Sequence, residues 1–424
     1  MQVAREALRR SRREDGDAGH AARLVLNSRA LHSRQRRAAG DILFALARLG
    51  ARLDARIRHA QERGAVPGRL DQDERDAWRL AAYLVAESGR SVDDVGRALS
   101  LDRSALTALA DPHYLDALSG AERLTVEQAM PRWLVERLVS ERGEAEARAA
   151  LEALNQRAPL TLRSSVPREA LLEELRKLGV PAEPTRYSPV GVHLLRHINV
   201  KALEPYRAGR CEVQDEGSQL IALAVHPRPG ELLVDACAGA GGKALALCAL
   251  EPRAEVVAIE PEGGRLAGLR ERARRAGVRI KGIHAGVGDP ATAPLLGRAD
   301  AVLVDAPCSG TGTLRREPEN RWRYGPEDVA RFAETQWRIA VDAVGMLKPG
   351  GRLIYATCSL LSEENETIVR KLGELPTLQP VPLVELLPEG VARDAGAEGN
   401  MLRLWPHRHG TDGFFMAAFR RRES

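Results

Sequence analysis

The stretch LLVDACAGAGGK, residues 232–243, limits what this chain can fold into more than any other feature. Leu232–Asp235 suit a short buried strand. They run into a loop holding Gly239, Gly241 and Gly242, and then into a helical sequence. Glycines let a backbone approach a ligand closely, and a helix N-terminus presents unpaired N–H groups. Strand, glycine loop and helix in this order open an open α/β sheet. The sequence that follows keeps the rhythm: AEVVAIEPE, VRIKGIHA, ADAVLVDAPCSG and RLIYATCSL read as strands. Between and after them GRLAGLRERARRAGV, the long PEDVARFAETQWRIAVDAVGM and SEENETIVRKLGEL read as helices, with GFFMAAFRR as a last strand. Gly277 is expected to end the first of these helices and Pro349-Gly350-Gly351 the second. Short apolar strands alternating with helices imply a mostly parallel, doubly wound sheet of the Rossmann-like kind over residues 216–424.

The preceding sequence has other periods. DILFALARLGARLDARI places Ile42, Leu46, Leu49 and Leu53 at helical spacing, and DERDAWRLAAYLVAES does the same with Trp78, Ala81, Ala82 and Leu84. SVDDVGRALSL opens on Ser91, a natural N-cap. No strand signal interrupts 22–125, which is therefore expected to be an all-helical domain. Residues 126–215 begin with two helices in PRWLVERLVSERGEAEARAALEALNQ. They continue with LTLRSSV as a strand, REALLEELRKLGV as a helix and GVHLLRHI as a strand, a small α/β segment.

Charge sets the N-terminus apart. The chain of 424 residues has a net charge of +5, yet residues 1–40 carry ten arginines against four acids. Residues 1–21 are expected to be a flexible basic arm, suited either to phosphate contact or to plain solvation. Arginine replaces lysine along the whole chain, which marks a compositional bias rather than a site. No apolar run approaches the about 18 residues a membrane span needs, and no secretory signal is evident. Five unevenly spaced cysteines suggest neither a disulfide framework nor a zinc ligand set. A reducing cytoplasm, no metal and a monomer are the expectations.

The candidate chemistry gathers at strand ends. The loop Cys237, Ala238, Gly239, Ala240, Gly241, Gly242 and Lys243 has G-x-G-G spacing, unlike the G-x-G-x-x-G of dinucleotide sites. Lys243 is followed by Ala244, not by the Ser or Thr of a phosphate-binding P-loop. A nicotinamide oxidoreductase is thereby disfavoured. A nucleoside ligand without phosphates, of which S-adenosylmethionine is the usual one, is favoured. Glu260 ends the next strand, where an acid bonds ribose hydroxyls in nucleotide folds. Cys308 and Cys358 each follow an apolar strand at the same expected sheet edge. Cys211, Cys237 and Cys248 read better as small buried side chains. A thiolate adding to carbon 6 of a pyrimidine makes carbon 5 nucleophilic, so a thiol beside a methyl donor suggests covalent methylation. Asp305 could bond the cytosine edge or the donor's amine. Which thiol attacks is left open by position alone.

VDACAGAGGK, VLVDAPCSGTGTLRREPENRW, YATCSLLSEENE and DGFFMAAFRR resemble the motifs of the RNA (cytosine-5)-methyltransferases. PRWLVERL, LNQRAPLTLR and VQDEGSQL narrow the resemblance to the bacterial 16S ribosomal RNA methyltransferase B group, also called Sun or Fmu proteins, over about residues 130–424. The resemblance implies that Cys358, in T-C-S, is the nucleophile and that Cys308, in P-C, helps release the product. It implies that Cys237–Lys243, Glu260 and Asp305 contact the cofactor, and that 22–125 is an RNA-binding domain similar to the antitermination factor NusB. Three departures stand out. The family's A-A-P-G-G-K-T loop is here Ala238-Gly239-Ala240-Gly241-Gly242-Lys243-Ala244. Gly286 stands where the family has an acid near the adenine, with Asp289 three residues on. The N-terminal region is divergent. Other readings are a transferase of the same fold acting on tRNA or another substrate, and a non-catalytic rRNA-binding assembly factor.

Two further clusters carry polar and aromatic side chains. Arg315, Arg316, Arg321 and Arg323, with Trp322 and Tyr324, suit either an RNA strand or a salt-bridged loop. His407 and His409 beside Trp405 read as surface residues.

Overall fold

A computed structural model describes residues 33–423. The basic arm 1–21 and residues 22–32 lie outside the described residues. The chain forms two compact units. One comprises the sequence up to Asn155 together with Arg316–Arg323, and the other Gln156–Arg315 with Tyr324 to the C-terminus.

The first unit is helical. Its helices are α1 (Ser33–Glu62), α2 (Gln72–Ala82), α3 (Val92–Leu99), α4 (Arg103–Ala110), α5 (Gly120–Gln128), α6 (Arg132–Arg142) and α7 (Glu144–Leu154). Leu46 and Leu53 of α1 enter a core with Leu80, Ala81, Leu106 and Leu109, while Ile42 and Leu49 flank it. The apolar stripe read from the sequence is thus the buried face. Local chemistry sets the starts. Ser91 caps α3 by accepting from the Asp94 N–H, and Asp71 and Glu74 form a reciprocal capping box on α2.

The second unit contains two sheets. The smaller is antiparallel, in the order β2-β3-β1-β4, from β1 (Leu160–Ser164), β2 (Ala182–Pro184), β3 (Gly191–Leu194) and β4 (Cys211–Val213). Helix α8 (Arg168–Lys177) buries Leu171 and Leu175 in the same core as Leu162 and Val192. β2 and β4, three residues each, carry no periodic signal and escaped the sequence reading.

The larger sheet has eight strands: β5 (Leu232–Asp235), β6 (Glu255–Ile259), β7 (Lys281–Ile283), β8 (Ala299–Asp305), β9 (Leu347–Thr357), β10 (Leu378–Pro380), β11 (Met401–Leu404) and β12 (Phe414–Arg421). The order is β10-β12-β9-β8-β5-β6-β7, with β11 also on β12. β5 to β9 run parallel, and β12 is antiparallel to β9, β10 and β11. Successive residues alternate between two cores: Leu233, Leu303 and Ile354 on one face, Val234, Val302, Val304 and Tyr355 on the other. Helices α9 (Glu216–Ala224) and α10 (Gly242–Leu250) contribute to the first core. Helices α12 (Pro326–Met346) and α13 (Glu366–Gly373) contribute to the second, and α11 (Gly263–Ala276) adds Leu269 to the first. Burial on both faces is why these strands read as apolar runs.

Two boundaries differ from expectation. Helix α12 ends at Met346, and Pro349-Gly350-Gly351 lies inside β9. Leu347 pairs with Ala299 but Arg352 with Ala301, so four residues loop out opposite Asp300 and shift the register. Gly350 supplies a φ of 76° there, and a side chain at Gly351 would meet the Ala299 carbonyl. Helix α13 starts at Glu366, and Ser362–Asn365 form a turn.

Candidate active site

The strand order reverses beside β5, because the chain winds outward through β6 and β7 and then returns to β8. In such sheets the ligand crevice opens at the carboxyl ends of the strands around that switch point. Asp235, Asp305 and Thr357 end β5, β8 and β9, and Glu260 directly follows the end of β6. The loops leaving them carry every site residue expected from sequence.

The glycine loop follows β5. Ala238 N–H donates to the Ile259 carbonyl, and Gly241 N–H to that of Ala238, which closes a tight turn. Gly241 has a φ of 84° and an added Cβ would sit 2.6 Å from Leu269, so only glycine fits. Gly239 and Gly242 face open space. Glu260 is buried and holds the loop: its Oε2 accepts from Gly239 N–H and its Oε1 from Glu262 N–H, both at 2.8 Å. A carboxylate offers about four acceptor positions, which leaves Glu260 able to take two more hydroxyls.

Beneath the loop, Lys243 Nζ donates to Asp305 Oδ2 at 2.5 Å. Burial lowers the Lys243 pKa, but the attraction of Asp305 and Asp235 outweighs it and the net shift is upward. Asp235 is buried and neither of its oxygens has a hydrogen-bond partner. Burial first, and the Asp305 charge second, push its carboxyl up to about 7 against the pull of Lys243 and the nearby N–H groups of Cys237 and Ala244. An orphaned buried carboxylate below a glycine loop with two open faces fits a cationic nucleoside such as S-adenosylmethionine.

Cys308 and Cys358 meet. Their sulfurs are 3.1 Å apart, a thiol–thiol contact between free cysteines. Contact with Cys358 and burial, with the charges of Cys358 and Glu364, hold the Cys308 thiol well above its usual pKa. The loops carrying the two thiols are stitched together. Gly312 N–H donates to the Cys358 carbonyl and Gly413 N–H to the Gly312 carbonyl, both at 2.9 Å. Thr311 Oγ1 accepts from Leu360 N–H. The buried Arg315 donates from Nε to Asp412 at 2.5 Å and from a terminal nitrogen to the Gly410 carbonyl, and Asp215 accepts from Asp412 N–H. The motif DGFF thereby braces the loop after Cys308.

Sequence reasoning missed the residue that joins the two thiol loops. Glu364 has no exposed surface. Its Oε1 accepts from Ser309 N–H at 2.8 Å and from Gln336 Nε2 at 3.0 Å, and its Oε2 accepts from the hydroxyls of Ser309 and Ser359 at 2.5 Å each. In the string SEENE it reads as an exposed helical acid. The one local signal was its place so soon after T-C-S.

The other expectations resolve individually. Cys211 and Cys248 are buried, and burial raises their pKa to about 12 and about 11. Cys237, expected to be buried, is only half-buried, and its desolvating surroundings together with the charges of Asp235, Asp305 and Glu260 push its thiol up. Gly286 faces open space, while Asp289 is exposed and caps its own turn by accepting from Ala291 N–H. The arginine cluster is not one surface. Arg315 is used as above, and the buried Arg321 donates within the helical unit to the Arg48 and Ala129 carbonyls and to Asn155. Trp322 and Arg323 are exposed. His409 is half-buried, its ring accepting from the Trp405 N–H and contacting the Ala395 carbonyl. Among the described residues no cluster of His, Cys, Asp and Glu could hold a metal ion, and no helix is long and apolar enough to cross a membrane.

Residues 222–420 match the family model described as 16S rRNA methyltransferase RsmB/F. Residues 130–201 match one described as the ferredoxin-like domain of RsmF/B-like methyltransferases. Ribosomal RNA small subunit methyltransferase B of Sodalis glossinidius is 34% identical over 71% of this chain and 67% of its own length. A Mycobacterium tuberculosis protein, named only as a methyltransferase, is 34% identical over 99% of this chain and 96% of its own. Among solved structures, that of PH0851 aligns with a TM-score of 0.78 at 26% identity, covering 98% of this chain and 97% of that one. A methyltransferase homolog protein from Pyrococcus horikoshii aligns with a TM-score of 0.60 at 25% identity, covering 73% and 99%.

Proposed function

The chain belongs to the 16S rRNA methyltransferase RsmB/F family, and on that premise we propose that it methylates carbon 5 of a cytosine in small-subunit ribosomal RNA, through a covalent adduct to Cys358. The observation that carries this reading is the contact of two thiols, 3.1 Å apart, beyond adjacent strands of the crevice that also holds the glycine loop.

S-adenosylmethionine, when bound, supplies a methyl group on a sulfonium. Cys237–Lys243, Glu260 and Asp305 would hold it, with Asp235 as a buried counter-charge. The Cys358 thiolate adds to carbon 6 of the cytosine. A sulfur–carbon bond forms, and the electrons of the 5,6 double bond make carbon 5 nucleophilic toward the methyl group. Transfer leaves the donor sulfur as a neutral thioether, and a base then takes the proton from carbon 5, whose electron pair re-forms the 5,6 double bond. The sulfur–carbon bond then breaks and its electron pair returns to Cys358. Cys308 stands where its S–H can donate to the departing thiolate. The helical unit, with the exposed Trp322 and Arg323, is proposed to bind the RNA, as is the basic segment before it.

Cys358→Ala should abolish methyl transfer and leave binding of the cofactor close to normal. Cys308→Ala should accumulate a protein–RNA adduct that survives denaturation. Full activity of the first variant refutes the nucleophile, and no adduct with the second refutes the release role. Bisulfite sequencing of RNA from a deletion strain identifies the cytosine. A lost site in tRNA, or none at all, would favour the other readings.

A further inference from the structure

We infer that Glu364 is a positioning residue that sets the two thiols in contact and assigns them different work, keeping Cys308 the proton-bearing thiol and leaving Cys358 to attack. This inference rests on the cysteine chemistry proposed above.

Ser309 directly follows Cys308 and Ser359 directly follows Cys358. The Glu364 carboxylate grips both, through the Ser309 N–H and the two hydroxyls. All four of its contacts are donors. Gln336 is oriented by giving its other Nε2 bond to the Pro307 carbonyl while its Oε1 accepts from Tyr355. Ser359 Oγ accepts from Leu361 N–H, and the carboxylate is its shortest hydroxyl contact, at 2.5 Å. Four donors and no cation around a wholly buried carboxyl describe a bound anion. Pro307, Ser309 and Ser359 flank the two cysteines, so moving Glu364 moves both sulfurs.

Charge then separates the thiols. Cys308 feels the Glu364 anion. Cys358 lies close enough to the Lys243 cation for their charges to interact. The titratable groups around the pair are Tyr355 on β9, Cys237 and Lys243 on the glycine loop, and Asp235 and Asp305 at the ends of β5 and β8. Glu364 is hydrogen-bonded on both sides, twice to Ser309 after Cys308 and once to Ser359 after Cys358. An anion close to an acid disfavours its ionised form.

The test is alkylation by iodoacetamide, read cysteine by cysteine by mass spectrometry of the full-length chain across a pH series. It needs neither RNA nor cofactor. It therefore succeeds or fails independently of whether cytosine is methylated. In the unmodified protein Cys358 should react ahead of Cys308. Glu364→Gln should lower the pH midpoint of Cys308 alkylation and speed it about tenfold near neutral pH, with a much smaller change at Cys358. Glu364→Asp, which keeps the charge, should retain the order. Cys211 and Cys248 report on loosening of the fold: parallel acceleration of all the cysteines, or an unmoved Cys308 midpoint, overturns the inference. Where Glu364→Gln does not fold, Ser309→Ala decides. It removes one donor but leaves the anion, so the Cys308 midpoint must rise, and a fall overturns the inference.

Discussion

Gly312 sits where three motifs converge, and replacing it with alanine tests whether their contact is what places Cys358. A Cβ at this position would stand 2.2 Å from the Gly413 carbonyl oxygen and 2.8 Å from that of Cys358. Both neighbours are backbone, and ordinary contact begins near 3.4 Å. The strands cannot rotate a side chain away, so the Cys308 loop and the β12 entry must separate by about 1 Å, straining the two hydrogen bonds that join them. Overpacking of this kind costs about 1–3 kcal/mol, and a middle value corresponds to a loss of roughly 4–8 °C in Tm for a unit of this size. A displacement of about 1 Å at a nucleophile costs on the order of a hundredfold in rate. Gly312→Ala should therefore lower kcat for methyl transfer by about two orders of magnitude, beyond its modest effect on folding. The assays are transfer of labelled methyl groups to ribosomal RNA and thermal unfolding of the same preparation. Activity within about twofold of the parent, with an unchanged Tm, would refute the reasoning, because the three loops would then tolerate the spacing that the close approach forbids.

Two further perturbations address other parts of the molecule. Asp235, raised to about 7 in the folded chain, binds a proton that the unfolded chain has already released. Its contribution is present in acid below the unfolded value and is lost as pH rises through about 7, to an upper limit on the order of 4 kcal/mol. Asp235→Asn should thus raise Tm at mildly alkaline pH and change it little at acid pH, and a pH-independent effect would disprove the buried charge. On the solvent side of α11, Gly268 has nothing within 4 Å of an added Cβ. Gly268→Ala should stabilise the chain by about 0.5–1 kcal/mol, read by chemical denaturation, and a loss of stability would show that the helix is not free there.

The amino-acid sequence by itself determined the elements and the edge at which chemistry gathers. Strands buried on both faces must be apolar, and helices that cover them must alternate with them, so β5, β6, β8 and β9 were legible as runs and α11 and α12 as periods. The same patterning put Asp235–Lys243, Glu260, Asp305, Cys308 and Cys358 at strand ends, where the parallel sheet must open. Tertiary structure alone decided what those ends do to each other. β10, β11 and the bulge in β9 exist because a neighbour supplies their hydrogen bonds, which no local period records. Glu364 was illegible for the same reason. An acid in SEENE looks solvated until the turn Ser362–Asn365 replaces the first turn of α13 and carries it among four donors, three from the two thiol loops and one from Gln336 of α12. A buried anion is tolerated only where distant residues supply its hydrogen bonds, and distance along the chain is what a sequence pattern does not see.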